Sequence, residues 1–335
     1  MANQRRGAAP PEHNIAIWGA PGCGKTTFLA ALNIALILNE SPWRIFTDDP
    51  DSRDFLTDMT KSFQEQRFPP ATVTLRHYKW FFSRQPDKQP KGLFRRARPE
   101  RIGLEVLDAP GGFFGADRAG SGAEREPLLE NLERSRGIVY LFDPTREHRK
   151  GDAFTYLHTV LTDLAGRMIS KNRFAGDTLP HYLAVCVTKF DEPRVFMTAQ
   201  ENGLLTPNPE DPYGFPHIDS DNAEELFQEL CGVSSSGYAK MVVPTLKKYF
   251  WKDHIRFFVT SSIGFYLNPA TGRFDPDDFQ NRLPDATPPA PAPSGRGEPA
   301  GAFKIRGPAH PINVIEPMLW LGQQMSADRQ GREAG

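Results

Sequence analysis

Eight contiguous residues, Gly19-Ala20-Pro21-Gly22-Cys23-Gly24-Lys25-Thr26, carry the most sharply specified chemistry in this 335-residue chain. They spell GxxxxGK[ST]. The glycines let backbone N–H groups close around a phosphate, Lys25 would pair with the β- and γ-phosphates of a nucleoside triphosphate, and the Thr26 hydroxyl would hold Mg²⁺. A strand-length apolar run, Asn14 to Trp18, precedes the loop, and a helix-forming stretch, Thr27 to Leu36, follows it. That order directs the loop's N–H groups and the positive end of the helix dipole at one anion. Gly19, Pro21, Gly22, Cys23, Gly24, Lys25, Thr26 and Thr27 are therefore the candidate phosphate contacts.

Three further patterns each stand at the end of an apolar run. Ile102 to Leu107 leads into Asp108-Ala109-Pro110-Gly111, a DxxG signature. Asp108 would hold a water of Mg²⁺, and the Gly111 N–H would meet the γ-phosphate. His181 to Val187 leads into Thr188-Lys189-Phe190-Asp191, a [NT]KxD pattern. The Asp191 carboxylate can accept from guanine N1–H and N2–H₂ together, whereas adenine offers an acceptor at N1 and no such amine. Lys189 would pack along the base and brace the phosphate loop. His254 to Val259 leads into Thr260-Ser261-Ser262, where Ser261 and Ser262 would stand near guanine O6.

Delivering these motifs to one place requires alternating strands and helices. Residues 71–82 and 102–107 read as strands of an antiparallel hairpin, and Gly137 to Asp143 reads as a buried parallel strand. Phe154, Leu157, Leu161, Leu164 and Met168 mark one face of the helix after it. Helices are expected near 52–66, 124–134, 223–230 and 238–249. Asp143 is read as a strand terminator, since Asp favours turns. The sum predicts a three-layer α/β P-loop NTPase domain with a mostly parallel central sheet and one antiparallel strand, binding its ligand at the strand C-terminal ends. The expected boundaries are a disordered arm over 1–12, the domain over 13–267 with insertions near 41–70 and 193–238, and a Pro-rich linker over 268–311. A helix over 312–326 either docks on the domain or meets a partner.

Composition narrows the function classes. Forty basic against 41 acidic side chains leave a net charge of −1, with no global field for nucleic acid or membrane. The basic run Lys88 to Arg101 is either a solvated face or a local anionic contact. Cys23, Cys186 and Cys231 form no metal or disulfide pattern, which points to a reducing cytoplasm. The apolar run Phe28 to Leu38 is too short to be a transmembrane segment.

GAPGCGKT, DAPG, TKFD and TSS, in this order and each at a strand end, resemble the guanine-nucleotide motifs of Ras-like P-loop GTPases over residues 14–264. The Phe68-Pro69-Pro70-Ala71-Thr72 entry and the terminal Val314 to Leu321 are similar to bacterial double-GTPase-type proteins. The resemblance implies GTP and GDP as ligands with Mg²⁺, a GTP-hydrolysing switch, and a protein effector or activating protein. It also implies a switch threonine on Mg²⁺, for which Thr72 is chosen, with Thr74 behind it. One departure bears on rate. Many relatives carry a Gln after DxxG to orient the attacking water, and this chain carries Gly112 there. Slow unaided turnover is therefore expected, with Arg67, or else Arg118, as an internal arginine for the γ-phosphate. The alternatives are a non-hydrolysing guanine-nucleotide scaffold and an ATPase, the latter disfavoured by TKFD.

Overall fold

A computed structural model describes residues 14–20, 22–38, 41–70, 76–84, 100–108, 122–174, 177–285 and 303–333. In chain order the elements begin β1 (Asn14–Gly19), α1 (Lys25–Leu38), β2 (Trp43–Phe46), α2 (Pro50–Gln64), β3 (Arg76–Arg84) and β4 (Glu100–Asp108). They continue with α3 (Gly122–Arg134), β5 (Gly137–Phe142), α4 (Pro144–Lys150), α5 (Ala153–Ser170), β6 (Tyr182–Val187) and α6 (Pro193–Glu201). The remainder is α7 (Ser220–Gly232), α8 (Val242–Tyr249), β7 (Ile255–Val259), β8 (Leu267–Asn268), β9 (Arg273–Phe274), β10 (Arg282–Pro284), β11 (Phe303–Ile305) and α9 (Glu316–Glu333).

Among the described residues a seven-stranded sheet runs in the order β2-β3-β4-β1-β5-β6-β7. β1 lies parallel to β4 and β5, β5 to β6, and β6 to β7, while β3 is antiparallel to both β2 and β4. Sequence explains the difference. β1, β5 and β6 are buried at every position, as strands covered on both faces must be. β3 alternates instead, with Tyr78, Trp80 and Phe82 buried and His77 and Lys79 exposed.

Helices cover both faces. Phe28, Leu32, Met59, Phe63, Leu321 and Met325 from α1, α2 and α9 build one core, and α9 lies against β5 and β6. Leu132, Leu157, Leu164, Phe196, Phe227 and Leu246 from α3, α5, α6, α7 and α8 build the other. β1 stands between β4 and β5, with β2 to β4 laid out on one side and β5 to β7 on the other, so the strand order reverses there, the place where α/β sheets bind ligands outside the strand C-terminal ends. Gly19, Asp108, Asp143, Thr188 and Thr260 all follow or end strands at that edge.

The structure differs from expectation in several places. Within the segment read as an insertion at 41–70, α2 is the helix expected near 52–66, whereas β2 was not expected and becomes the sheet's outer strand. α6, inside the segment read as an insertion at 193–238, buries Val195, Phe196 and Ala199 in the core. Residues 268–285 and 303–311 are packed rather than linker-like: Phe274 and Phe279 lie against one core, and Ile305 is buried in the other. A few aromatic and aliphatic anchors outweigh a Pro- and Gly-rich composition. The run Thr287 to Pro293, the arm 1–12, residues 71–75 and most of the Gly-rich segment after Asp108 lie outside the described residues. α9 extends to Glu333, beyond the expected end at 326.

Candidate functional site: the crevice at the strand C-terminal ends

The phosphate loop has the backbone its sequence demands. Gly22 and Gly24 take φ of +76° and +93°, left-handed values that side chains disfavour. Gly19 is needed for space, because a Cβ there would lie 2.6 Å from Cys23 Sγ and 2.7 Å from the Leu141 carbonyl oxygen. The Cys23 N–H closes the turn on the Ala20 carbonyl at 3.1 Å. Lys25, 8% exposed, opens α1 and donates through Nζ to the carbonyls of Gly19 (3.1 Å) and Ala20 (3.3 Å). The Gly19 carbonyl also accepts from the Tyr156 hydroxyl at 3.2 Å, which in turn accepts from Trp18 Nε1 at 3.1 Å. Burial pushes the Cys23 thiol pKa up, against the pull of Lys25. Thr26 and Thr27 sit half-buried in the first turn of α1; Pro21 is outside the described residues.

On the γ-phosphate side the described structure is partial. Asp108 ends β4, which runs parallel beside β1. Thr72, Thr74, Gly111, Gly112 and Arg118 lie outside the described residues. Arg67 follows α2, and its backbone forms an antiparallel bridge with Lys304. Its guanidinium is 75% exposed and lies 3.6 Å from Glu65 Oε2, so its ion pair is with its own helix end, not with the phosphate loop.

The base side is fully described. Thr188 Oγ1 and N–H both donate to the Phe142 carbonyl, at 3.0 and 2.9 Å, fastening the end of β6 to that of β5. Lys189 adopts φ of +63°, uncommon for a residue with a side chain. Its Nζ reaches Asp143 Oδ2 at 2.8 Å, whereas the sequence suggested a brace on the phosphate loop. Asp143, 5% exposed, also accepts from the N–H groups of Thr145 (3.0 Å) and Arg146 (3.1 Å), capping α4. It is thus a site residue that sequence reasoning passed over, and the Asp-Pro-Thr cap at a strand end was its available signal.

The Phe190 N–H bonds the Thr260 carbonyl at 3.1 Å and joins the TKFD turn to the end of β7. Asp191, 4% exposed, accepts from Ser261 Oγ at 2.5 Å, and that oxygen accepts from the Gly264 N–H at 2.8 Å. Burial pushes the Asp191 pKa up to about 6, against the opposing hydrogen bond from Ser261. Ser262, which follows Ser261 in the chain, is half-buried.

These groups fit a guanine nucleotide with Mg²⁺. A glycine-formed N–H cradle and a buried ammonium suit a polyphosphate, and a buried carboxylate at the same strand edge suits paired N–H donors. The half-buried Thr26 hydroxyl at the start of α1 could serve the cation; the Asp108 side chain lies outside the described residues. Among the described residues no three His, Cys, Asp or Glu side chains cluster to hold a metal. Mg²⁺ commonly takes one or two protein ligands and completes its shell with phosphates and water.

No protein-family model and no curated protein matches the chain. Among solved structures it is similar to the S. cerevisiae Ski7 GTPase-like domain bound to GTP, at 14% identity and TM-score 0.34, over 75% of this chain and 42% of that one. It is similar to the signal recognition particle receptor SRb-GTP/SRX complex from Chaetomium thermophilum, at 13% identity and TM-score 0.36, over 76% of this chain and 93% of that one. It is also similar to a bacterial selenocysteine-specific elongation factor EF-Sec, at 11% identity and TM-score 0.29, over 75% of this chain and 26% of that one. The chain thus spans less than half of the Ski7 and EF-Sec chains. Its own strand order and phosphate loop make it an α/β P-loop domain.

Proposed function

We propose that this chain is a GTP-binding switch that hydrolyses GTP slowly on its own and is stimulated by a protein partner. The observation that carries the reading is Asp191: a buried carboxylate pinned by Ser261, one strand-end turn from Lys189 and on the same sheet edge as Lys25.

In this reading Gly19 through Thr27 wrap the phosphates, and Lys25 turns its ammonium from the loop carbonyls to the β- and γ-oxygens. Asp191 accepts the two guanine N–H donors, Lys189 lies along the base on its Asp143 anchor, and Ser261 and Ser262 stand by O6. Thr26, Asp108 and, in the triphosphate state, Thr72 hold Mg²⁺. That ion, when bound, neutralises charge on the β- and γ-oxygens. The Gly111 N–H meets the γ-phosphate, which makes the segment after Asp108 sensitive to its presence. Gly112 has no side chain to orient a water, so unaided turnover is expected at or below the about 10⁻⁴ to 10⁻² s⁻¹ of unassisted relatives. The internal arginine proposed for the γ-phosphate is Arg67, which would have to leave its Glu65 pair, or else Arg118. The second reading, a guanine-nucleotide scaffold without hydrolysis, is favoured by Gly112 alone. No described helix is long and apolar enough to cross a membrane, and we place the protein in the cytoplasm on its three free, buried cysteines.

The test is base exchange. Asp191→Asn should move preference from guanosine toward xanthosine triphosphate, because an amide donates to the xanthine 2-oxygen where a carboxylate repels it. An unchanged ratio of the two affinities in a folded variant refutes the base assignment, and equal parent affinity for GTP and ATP refutes guanine selectivity altogether.

A further inference from the structure

Asp191 can accept two parallel N–H donors only if its carboxylate plane is held in place, and the groups that hold it come from a distant part of the chain. Its oxygen partner Ser261 is itself fixed by two backbone hydrogen bonds to Ile312, N–H to O at 3.1 Å and O to N–H at 2.8 Å. Asn313 Nδ2 donates to the Val259 carbonyl at 3.0 Å, and the His310 N–H to the Ile263 carbonyl at 3.0 Å. Gly264 takes φ of +67°, and a Cβ there would fall 1.9 Å from the His310 carbonyl oxygen, so the two segments touch through bare backbone. The loop after β7 is therefore paired through backbone with residues 310–313, the end of a strap that runs from Phe303.

That strap has its own anchor. Asn281 is 0% exposed and uses both ends of its amide. Nδ2 donates to the carbonyls of Ile263 (3.0 Å) and Pro308 (3.2 Å), and Oδ1 accepts from the Gly307 N–H (2.8 Å). One buried side chain thus ties the base loop to the strap. The neighbouring Arg282, on β10, reaches Glu192 Oε1 at 3.0 Å and lies 4.0 Å over the Phe303 ring of β11. Glu192 directly follows Asp191, so the strap unit grips Asp191 from both sides, through Ser261 and through Glu192. Its far end is fastened to the segment before residues 68–75, with the Ile305 N–H on the Gln66 carbonyl at 2.9 Å.

We infer that Asn281, Arg282 and the strap Phe303–Asn313 determine guanine specificity as positioning residues, holding Ser261 and Asp191 in register for the base without touching it. The inference rests on the guanine reading above. A strap that merely closes the fold would affect all nucleotides alike. One that orients the carboxylate affects the guanine 2-amine in particular, since that donor is the difference between GTP and ITP.

The experiment measures dissociation constants of GTP, ITP and GDP for the full chain and for Asn281→Asp, in which a carboxylate oxygen replaces Nδ2 and faces the Ile263 and Pro308 carbonyls. Arg282→Met, which keeps the apolar stem and loses the Glu192 pair, is the second variant should the first fail to fold. The parent should prefer GTP over ITP about ten-fold or more, the worth of a hydrogen bond to a charged group. The variants should lose about three- to ten-fold of that preference, the worth of one neutral hydrogen bond, while the GTP to GDP ratio stays fixed. If the parent discriminates and the folded variants weaken GTP and ITP equally or not at all, the strap is structural and the inference is overturned. If the parent itself does not distinguish GTP from ITP, the guanine reading of Asp191 falls first and takes the inference with it.

Discussion

Lowering the pH should release guanine nucleotide through a single carboxyl group. Burial holds Asp191 up to about 6, against 3.8 for an ordinary aspartate, a difference of about 3 kcal/mol in the folded chain's hold on that proton. The base donors need the ionised form. At pH 5 about one tenth of the carboxyls are ionised, so affinity for GDP should be about ten-fold below its plateau above pH 7. The sign of the stability effect is opposite. A carboxyl raised in the folded state contributes stability that is complete below about pH 4 and is lost as the pH rises through about 6. Nucleotide-free Asp191→Asn should therefore be more stable than the parent at pH 7.5, by at most about 3 kcal/mol, and no more stable at pH 4. Equilibrium titration with GDP from pH 5 to 8, for parent and variant together, tests the first claim, because phosphate ionisation is common to both and cancels in the ratio. Thermal melts of the same proteins test the second. Parallel pH profiles for the two proteins would show that Asp191 does not carry the base contact, and identical melts at pH 7.5 would show that its burial is not costly.

Lys25→Ala removes the ammonium proposed to meet the phosphates, and should weaken GTP binding by about 2–5 kcal/mol in a chain that still melts cooperatively; unchanged affinity would remove the loop from the site. Leu321→Ala cuts a fully buried side chain of α9 out of the core formed with α1. It should cost about 2–5 kcal/mol of stability while leaving the GTP to ATP preference intact, as chemical denaturation and nucleotide titration would show. Arg67→Ala should slow single-turnover hydrolysis without weakening GTP binding. If Arg67→Ala and Arg118→Ala both keep the parent rate, the arginine comes from a partner in trans.

What the sequence determined by itself is what short range can encode. The phosphate loop is contiguous, and its glycines at 22 and 24 are demanded by left-handed backbone that few other residues enter. β5 and β6 were legible because strands buried on both faces read as unbroken apolar runs, and α5 because Leu157, Leu161, Leu164 and Met168 recur at helical spacing. β2, four residues long, was not, since a run that short has no period to detect. The Pro-rich reading does not hold over 268–285 and 303–311, for a different reason. Composition averages over a window, whereas packing is decided by single residues such as Phe274, Phe279, Asn281 and Ile305 finding partners elsewhere. The same long range governs the site. Lys189 meets Asp143 across 46 residues, Ser261 meets Asp191 across 70, and Tyr156 meets the Gly19 carbonyl across 137. Which carboxylate is buried enough to hold its proton to about pH 6, and which segment pins its partner, depends on the dielectric and the neighbours that tertiary structure supplies. No spacing along the chain records either one.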